Sequence, residues 1–359
     1  MRARALAVIA AFTTVGPTVE VAAQAETYYP PVWYKQGMVP TIGADATASL
    51  QSRINATPDG GTLTLEAGAK FRVDGTLRIS NRRNFTLNGN GASIYAITSA
   101  DRNRRHVSIL NGSNIRVIGL TVLGANPNAG TGDFAYRPDR EAQHAFEVLG
   151  SKTVELANLK AYDVYGDFVY IGLGATAASN VSVHDNTFAR NGRQGVTVTA
   201  GLNVLIERNN ISEVRRTTFD LEPNSPAWVV DGVTIRSNSI GTGRLNFLSA
   251  VGNGPVNRVT VASNVLRGKS LNALVRAPEG TRRTGWSFTG NSSDLVFGTP
   301  SMAALHFFGT DDISVTGNYQ PLQAGRSMVG VNSHDGCRVV VSGNQFPGGV
   351  GANAPLADC

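Results

Sequence analysis

Short runs of alternating apolar and polar residues recur along most of the chain. The clearest copies are Val181-x-Val183-x-x-Asn186 and Val204-x-Ile206-x-x-Asn209, in which two aliphatic residues two apart are followed by an asparagine. The asparagines recur every 23 to 29 residues, the later ones being Asn238, Asn264, Asn291, Asn318 and Asn344. A period in the twenties predicts a solenoid in which each repeat forms one coil.

The content of each repeat indicates the kind of solenoid. The period-two runs are rich in Val and Ile, which is typical of strands. Gly, Asn, Asp and Ser fill the joints and favour turns, and no repeat has room for a helix of ordinary length. We therefore predict an all-β fold, a parallel β-helix of about ten coils, each rising about 4.8 Å on the last. The recurring asparagines are expected to form a hydrogen-bonded ladder at one corner.

The two ends of the chain predict additional segments. Residues 1–25 have a positive start, an apolar run and a small-x-small cleavage site, which predicts a secretory signal peptide. Residues 26–61 predict an aromatic, proline-rich extended arm and a capping helix, which begins near Asp45, ends near Ala56 and buries Leu50 and Ile54. Residues 62–359 then form the β-helix and a C-terminal tail.

The charge of the chain narrows the class of binding partner, and its cysteines allow one disulfide. The chain has 32 Lys and Arg against 26 Asp and Glu, a net charge of +6, without a continuous basic run. This favours an acidic glycan over nucleic acid as the partner, and we expect a monomer. No apolar stretch is long enough to span a membrane. Cys337 and Cys359 either form one disulfide that ties down the tail or remain two free thiols.

A family resemblance rests on the first coils and on the asparagine repeats. The runs Asp59-Gly60-Gly61-Thr62-Leu63-Thr64-Leu65 and Leu87-Asn88-Gly89-Asn90-Gly91-Ala92 are similar to the N-terminal end of the pectate-lyase-like superfamily. The resemblance implies a right-handed parallel β-helix over nearly the whole mature chain. It also implies a class of activities rather than one, since the superfamily includes polysaccharide lyases, glycoside hydrolases, uronan epimerases and phage tailspikes.

The candidate site follows from the alternation of the strand that begins each coil. If the large apolar residues point inward, their neighbours point outward and stack from coil to coil. The first outward row contains Glu147, Tyr170, Thr197, Asp220, Ser249 and His306, and the second contains Leu149, Gly172, Thr199, Glu222, Val251 and Phe308. Arg276 joins the second row if Ala273 and Val275 face inward. In the preceding turns Arg193 is expected to stack on Arg216 and Asp167 on Gln194, with Trp228 as an aromatic surface nearby.

Two chemistries and one binding function fit these residues. Asp220 and Glu222 suit the acid and base of an inverting glycoside hydrolase, whose carboxyls stand roughly 6.5–9.5 Å apart. Alternatively, Arg193 or Arg216 neutralises a uronate while Tyr170 or an arginine removes a proton in a β-elimination, with Ca²⁺ held by Asp167, Asp220 and Glu222. The catalytic candidates are Asp220, Glu222 and Arg193, and the substrate-binding candidates are Glu147, Asp167, Tyr170, Gln194, Arg216, Trp228, Arg276 and His306. A non-catalytic glycan-binding or adhesin solenoid is the third alternative.

One insertion interrupts the repeats. Residues 123–144 separate two coils and contain several charged and aromatic residues. A long loop at the edge of a solenoid either frames a binding face or is a solvated excursion, and the sequence favours neither.

Overall fold

The computed structural model describes residues 32–38, 41–298, 303–331 and 338–350. The predicted signal peptide, residues 26–31 and 39–40 of the aromatic arm, and both cysteines lie outside the described residues. Within them, thirty strands form three parallel sheets that wind around one core, with about ten turns of solenoid. The predicted all-β single parallel β-helix is confirmed.

The sheets are numbered by the order in which the chain enters them. Sheet 1 contains the strands Thr62–Thr64, Arg83–Asn88, Ser113–Ile118, Lys152–Ala157, Ala178–His184, Gly201–Glu207, Val230–Arg236, Val256–Ala262, Arg283–Thr289, Thr310–Thr316 and Val339–Ser342. Sheet 2 contains Lys70–Arg72, Ser93–Tyr95, Thr121–Leu123, Lys160–Val164, Thr187–Asn191, Asn210–Ser212, Ser239–Ile240, Val265–Leu266 and Ser292–Ser293. Sheet 3 contains Leu77–Ser80, Val107–Leu110, Phe146–Leu149, Val169–Gly172, Val196–Val198, Phe219–Leu221, Leu248–Ala250, Ala273–Arg276, Leu305–Phe308 and Val329–Val331.

The core is a stack of inward-facing aliphatic and aromatic side chains. On sheet 3 the predicted inward residues are buried in every coil, and the ambiguous strand has Ala273 and Val275 inward. Phe168 and Phe188 stack with their ring centroids 5.3 Å apart. Each fully buried aliphatic or phenylalanine side chain contributes about 1.5–3 kcal/mol relative to exposure, so the repeated rows hold the coils together.

The asparagine ladder lies at the corner between sheet 1 and sheet 2. The side-chain amide of Asn186 donates to the side-chain oxygen of Asn209 at 2.8 Å, and Asn209 donates to Asn238 at 3.0 Å. The same contact continues through the remaining members, Asn264, Asn291, Asn318 and Asn344. Each side-chain oxygen also accepts the backbone N–H of the preceding asparagine, as Asn209 does from Asn186. The predicted ladder is confirmed, and it satisfies polar groups where the chain turns.

Two helices precede the coils. The helix Thr47–Ala56 buries Leu50 and Ile54 against the first coil, and the Asp45 carboxylate accepts a hydrogen bond from the backbone N–H of Thr47 at 3.0 Å. The described part of the arm differs from the extended conformation expected, because Val32–Lys35 is a short helix. Trp33 in this helix is buried, and its indole N–H donates to the carbonyl of Gly124.

The insertion after Leu123 is ordered along the corner between sheets 2 and 3. It contains two 3₁₀ turns, Asp133–Ala135 and Pro138–Arg140. The carbonyl of Ala135 accepts the Asn126 side-chain amide at 3.0 Å, and a Cβ on Gly192 would come within 2.6 Å of that carbonyl. The insertion therefore packs directly on the coil wall and forms one bank of the outer face of sheet 3.

Candidate functional site

A cleft of about 340 Å³ lies on the outer face of sheet 3. The insertion bounds it on one side, and the corners that lead from sheet 3 to sheet 1 bound it on the other. Its walls are built from Arg105, Glu141, Ala142, His144, Glu147, Leu149, Tyr170, Leu173, Arg193, Thr199, Glu222 and Asn224. Of the predicted site residues, Glu147, Tyr170, Arg193 and Glu222 line this cleft, and Asp167, Asp220 and Gln194 lie buried directly behind them.

Strand register brings the predicted outward row together. Tyr170 pairs with Thr197, Thr197 with Asp220, and Asp220 with Ser249 in consecutive coils. The row is buried rather than wet, since Asp220 is only 2 % exposed and Glu147 and Thr197 are also buried. Polar groups in this row therefore interact at a low effective dielectric constant, which strengthens their hydrogen bonds and charge interactions.

Asp220 and Glu222 form a carboxyl pair at the floor of the cleft. Burial raises the pKa of Asp220 well above its usual range, and repulsion by and hydrogen bonding with Glu222 raise it further. The Gln194 amide donates to Asp220 Oδ2 at 2.9 Å. The roughly 6.5–9.5 Å separation expected of an inverting acid and base stays a prediction for this pair. The raised pKa of Asp220 favours its protonated form.

Arg193 and Asp167 form a buried ion pair beside these carboxyls. Arg193 Nη1 donates to Asp167 Oδ2 at 2.7 Å, and the backbone N–H of Gln194 donates to Asp167 Oδ1 at 2.9 Å. Arg193 Nε also donates to Glu141 Oε2 at 3.3 Å. The negative charge of Asp167 raises the pKa of Arg193, despite the opposing effect of burial. Because each Asp167 oxygen has an N–H donor, we assign Asp167 as the ionised partner of Arg193.

His144 and Tyr170 form an aromatic wall of the cleft. Their rings are stacked with centroids 4.8 Å apart, and the Thr199 hydroxyl donates to the Tyr170 oxygen at 3.1 Å. Burial lowers the pKa of His144 well below its usual value, and the nearby arginines act in the same direction. His144 Nδ1 accepts the backbone N–H of Asp167 at 3.0 Å. A neutral ring in this arrangement carries its proton on Nε2, so that atom can donate to a ligand.

Residues of the preceding coil bind both oxygens of the Glu147 carboxylate. Arg105 Nε donates to Glu147 Oε1 at 2.7 Å, and the Ser108 hydroxyl donates to Glu147 Oε2 at 2.7 Å. Both carboxylate oxygens are thus engaged. Glu147 also lies three coils from Asp220, which is about 14 Å along the solenoid axis.

The structure places four predicted binding residues outside the cleft. Arg216 follows Arg193 one coil later, as predicted, but its guanidinium lies over the Tyr136 ring at 5.0 Å. Trp228 is half-buried in the loop after Glu222. His306 stacks on Phe308 at 4.2 Å, with the Arg276 guanidinium 4.8 Å from the same ring. Arg276 lies two coils beyond Asp220, and His306 and Phe308 lie three coils beyond it.

Three titratable residues that line the cleft were not among the predicted site residues: Glu141, His144 and Arg105. A signal for His144 is present in the sequence. When Phe146 is aligned with Val169, as the strand register requires, the residues two positions earlier are His144 and Asp167. Asp167 was identified as a site residue, so its neighbour in the previous coil belonged to the same column.

The family is shown by comparison with known proteins. The family model described as the right handed beta helix region matches residues 105–297, more than half of the chain. The chain belongs to this family of right-handed parallel β-helix proteins. No curated protein matches the sequence.

Solved structures of this fold include proteins of three kinds. The endo-xylogalacturonan hydrolase from Aspergillus tubingensis is 13 % identical, with a TM-score of 0.62 and coverage of 88 % of this chain and 95 % of its own. A Streptococcus pneumoniae surface protein and adhesin is 14 % identical, with a TM-score of 0.60 and coverage of 88 % and 97 %. An alginate lyase from a Paenibacillus strain is 14 % identical, with a TM-score of 0.53 and coverage of 85 % and 97 %. At these identities the likeness establishes the fold and does not select one activity.

The helices in the described part of the chain are all too short or too polar to cross a membrane.

Proposed function

We propose that this protein is a secreted glycoside hydrolase that cleaves a polysaccharide bound along the outer face of sheet 3. The observation that carries this proposal is the Asp220–Glu222 pair. A carboxyl that keeps its proton at neutral pH is what protonation of a glycosidic oxygen requires. Asp220 is buried, which raises its pKa and favours its protonated form, and Glu222 faces the cleft.

In the proposed mechanism the pair acts as the general acid. The shared proton passes from the pair to the glycosidic oxygen through Glu222, and the bond between that oxygen and the anomeric carbon breaks. Glu141 acts as the base, because its side chain is 44 % exposed and lies against Arg193, one coil before Asp220. It takes a proton from the attacking water, whose oxygen forms the new bond to the anomeric carbon.

The neighbouring residues position these groups. Gln194 donates to Asp220 with its amide, and its side-chain oxygen accepts the backbone N–H of Thr217 at 2.7 Å, which fixes its orientation. Arg193 holds Glu141 and Asp167 together. We therefore assign Arg193 an electrostatic and positioning role in place of direct chemistry.

The charge balance of the cleft favours hydrolysis over β-elimination. A lyase needs a cation to neutralise the uronate carboxylate. The two arginines of the cleft wall are already paired, Arg105 with Glu147 and Arg193 with Asp167 and Glu141. Three glutamates also line the same wall. A weakly charged or neutral glycan fits this surface better than the acidic glycan suggested by the net charge of the whole chain.

A calcium ion was predicted only for the lyase alternative. Its proposed ligands were Asp167, Asp220 and Glu222, but the Asp167 oxygens already accept N–H donors. Among the described residues, no group of three or more His, Cys, Asp or Glu side chains is arranged to hold a metal ion. The hydrolase proposal therefore assigns no role to a cation.

The test is incubation of the protein with a panel of neutral and acidic polysaccharides, with and without Ca²⁺. Reducing ends and ultraviolet absorbance are followed together, because β-elimination creates a conjugated uronate and hydrolysis does not. We expect reducing ends alone, and an activity loss of about 100-fold or more in Glu222→Gln. Rising absorbance would refute the hydrolase in favour of a lyase. Binding without either product would leave only the adhesin alternative.

The two carboxylate roles are separated by pH profiles. If the Asp220–Glu222 pair is the acid, Glu222→Gln removes the fall in activity on the alkaline side. If Glu141 is the base, Glu141→Gln removes the fall on the acidic side. The same profile shape in both variants would contradict this division of roles.

A further inference from the structure

The tip of the insertion presents the most exposed aromatic side chain in the described part of the chain. Phe134 is 81 % exposed, whereas the ends of the same turn are held in place. Single exposed apolar side chains are common on protein surfaces, so the contacts around Phe134 must indicate whether this one has a role.

Ion pairs and packing hold the backbone on both sides of Phe134. Asp133 forms ion pairs with Arg244 and, at 3.9 Å, with Arg215. On the other side, Ala135 is fully buried. Tyr136 packs under the Arg216 guanidinium at 5.0 Å. The ring is therefore displayed by a fixed segment, so little conformational entropy is lost when a ligand packs on it.

The same contacts locate Phe134 relative to the cleft. The Tyr136 hydroxyl donates to Glu141 Oε2 at 2.9 Å, and Glu141 lines the cleft wall. Asp133 is anchored to Arg244, which belongs to the coil after that of Asp220, because Leu248 pairs with Phe219. Asp133 also pairs with Arg215 from the coil of Asp220, and the Ala135 carbonyl lies against Gly192 from the coil before it. Phe134 thus stands on the bank of sheet 3, beside the coils of the carboxyl pair.

We propose that Phe134 forms a sugar-stacking subsite for the part of the glycan that extends from the cleft over the insertion. This inference rests on the proposed function. The apolar face of a sugar ring packs on an aromatic ring, and burial of both surfaces supplies the binding energy. The occupant is the glycan chain itself, because the bank on which Phe134 stands is continuous with the wall of the cleft.

The proposed subsite predicts a dependence on ligand length. A short oligosaccharide that fills only the cleft does not reach Phe134, whereas a longer one does. Phe134→Ala is expected to weaken binding of long oligosaccharides about tenfold and to leave the shortest bound ligand unchanged. Phe134→Trp is expected to restore the affinity for long ligands.

The experiment measures binding of a size series of neutral oligosaccharides, prepared from the polysaccharide that the protein cleaves, by calorimetry in a Glu222→Gln background. The matched control is Tyr319→Ala. It removes another exposed aromatic ring, but one that continues sheet 2, away from the cleft on sheet 3. Because Phe134 is so exposed, its replacement should leave the melting temperature unchanged.

Two results would overturn the inference in distinguishable ways. Equal affinity of Phe134→Ala and its parent for long oligosaccharides would refute the subsite and leave the hydrolase proposal intact. A parent protein that neither cleaves nor binds any member of the polysaccharide panel would refute the proposed function and, with it, this subsite.

Discussion

Removal of Arg193 should cost the protein a large part of its stability, through the charge that it leaves behind. Asp167 is 0 % exposed and the Arg193 side chain is 17 % exposed. Breaking a buried ion pair by deleting one partner costs about 3–5 kcal/mol, because the remaining charge is buried without compensation. We expect about 3 kcal/mol for Arg193→Met, the lower end of that range, since the Gln194 N–H still donates to Asp167.

The cost should depend on pH. Without Arg193, burial raises the pKa of Asp167 against hydrogen bonds alone, and the carboxyl can take up a proton. A carboxyl whose pKa is raised in the folded state loses stability as pH rises above its unfolded value of about 4. The destabilisation by Arg193→Met is therefore expected to be larger at about pH 8 than at about pH 5.

A double-mutant cycle tests this reasoning. Urea unfolding is followed by circular dichroism and by tryptophan fluorescence for the parent, Arg193→Met, Asp167→Asn and the double variant. The double variant should be more stable than the sum of the single effects predicts, by about 1–3 kcal/mol. Arg338→Met is the control, because it breaks an exposed pair with Asp312, and it should not change the unfolding midpoint. Additive effects of the two single variants would refute the buried pair.

Two further predictions concern the carboxyl pair and the ladder. Burial raises the pKa of Asp220, so the parent should lose stability as pH rises above about 4, and Asp220→Asn should reduce that loss while lowering activity at least about 100-fold. A melting temperature of Asp220→Asn below that of the parent at neutral pH would contradict this. Asn238→Ala removes four ladder hydrogen bonds and should cost about 3 kcal/mol by urea unfolding, against no change for the exposed Asn55→Ala. Equal stability of these two variants would show that the ladder contributes nothing.

The coils could be predicted from the sequence because every repeat has the same pattern of inward apolar residues and corner asparagines. Inward positions must be apolar, and Val196 and Val198 meet this rule as their stacked equivalents do. The corner asparagines must satisfy one another, and their spacing gives the register directly. The strand at Ala273 was ambiguous because alanine, leucine and valine follow one another there, and only its pairing with Leu248 decides which residues face the core.

The environment of the site could not be predicted in the same way. The alternation correctly puts Asp220 on the outer face, but it does not indicate that the residue is 2 % exposed. Burial comes from long side chains such as Arg193, which fold over the row from the preceding turn. It also comes from the insertion, whose path no repeat specifies. For the same reason Glu141 was not assigned to the cleft, although it belongs to a segment that was identified as a candidate bank.

The difference between coils and corners explains why the fold alone does not give the activity. A coil strand places Thr197 and Ser249 on either side of Asp220, so stacking within the row adds no charge to it. The groups that perturb Asp220 are Glu222 at the end of its strand, Asp167 from a turn, and Arg193 from the next turn. Proteins that are 12–14 % identical share this fold, and the turns between strands tolerate substitution and insertion better than the strands do. An activity in this family is therefore to be inferred from corner residues and tested there.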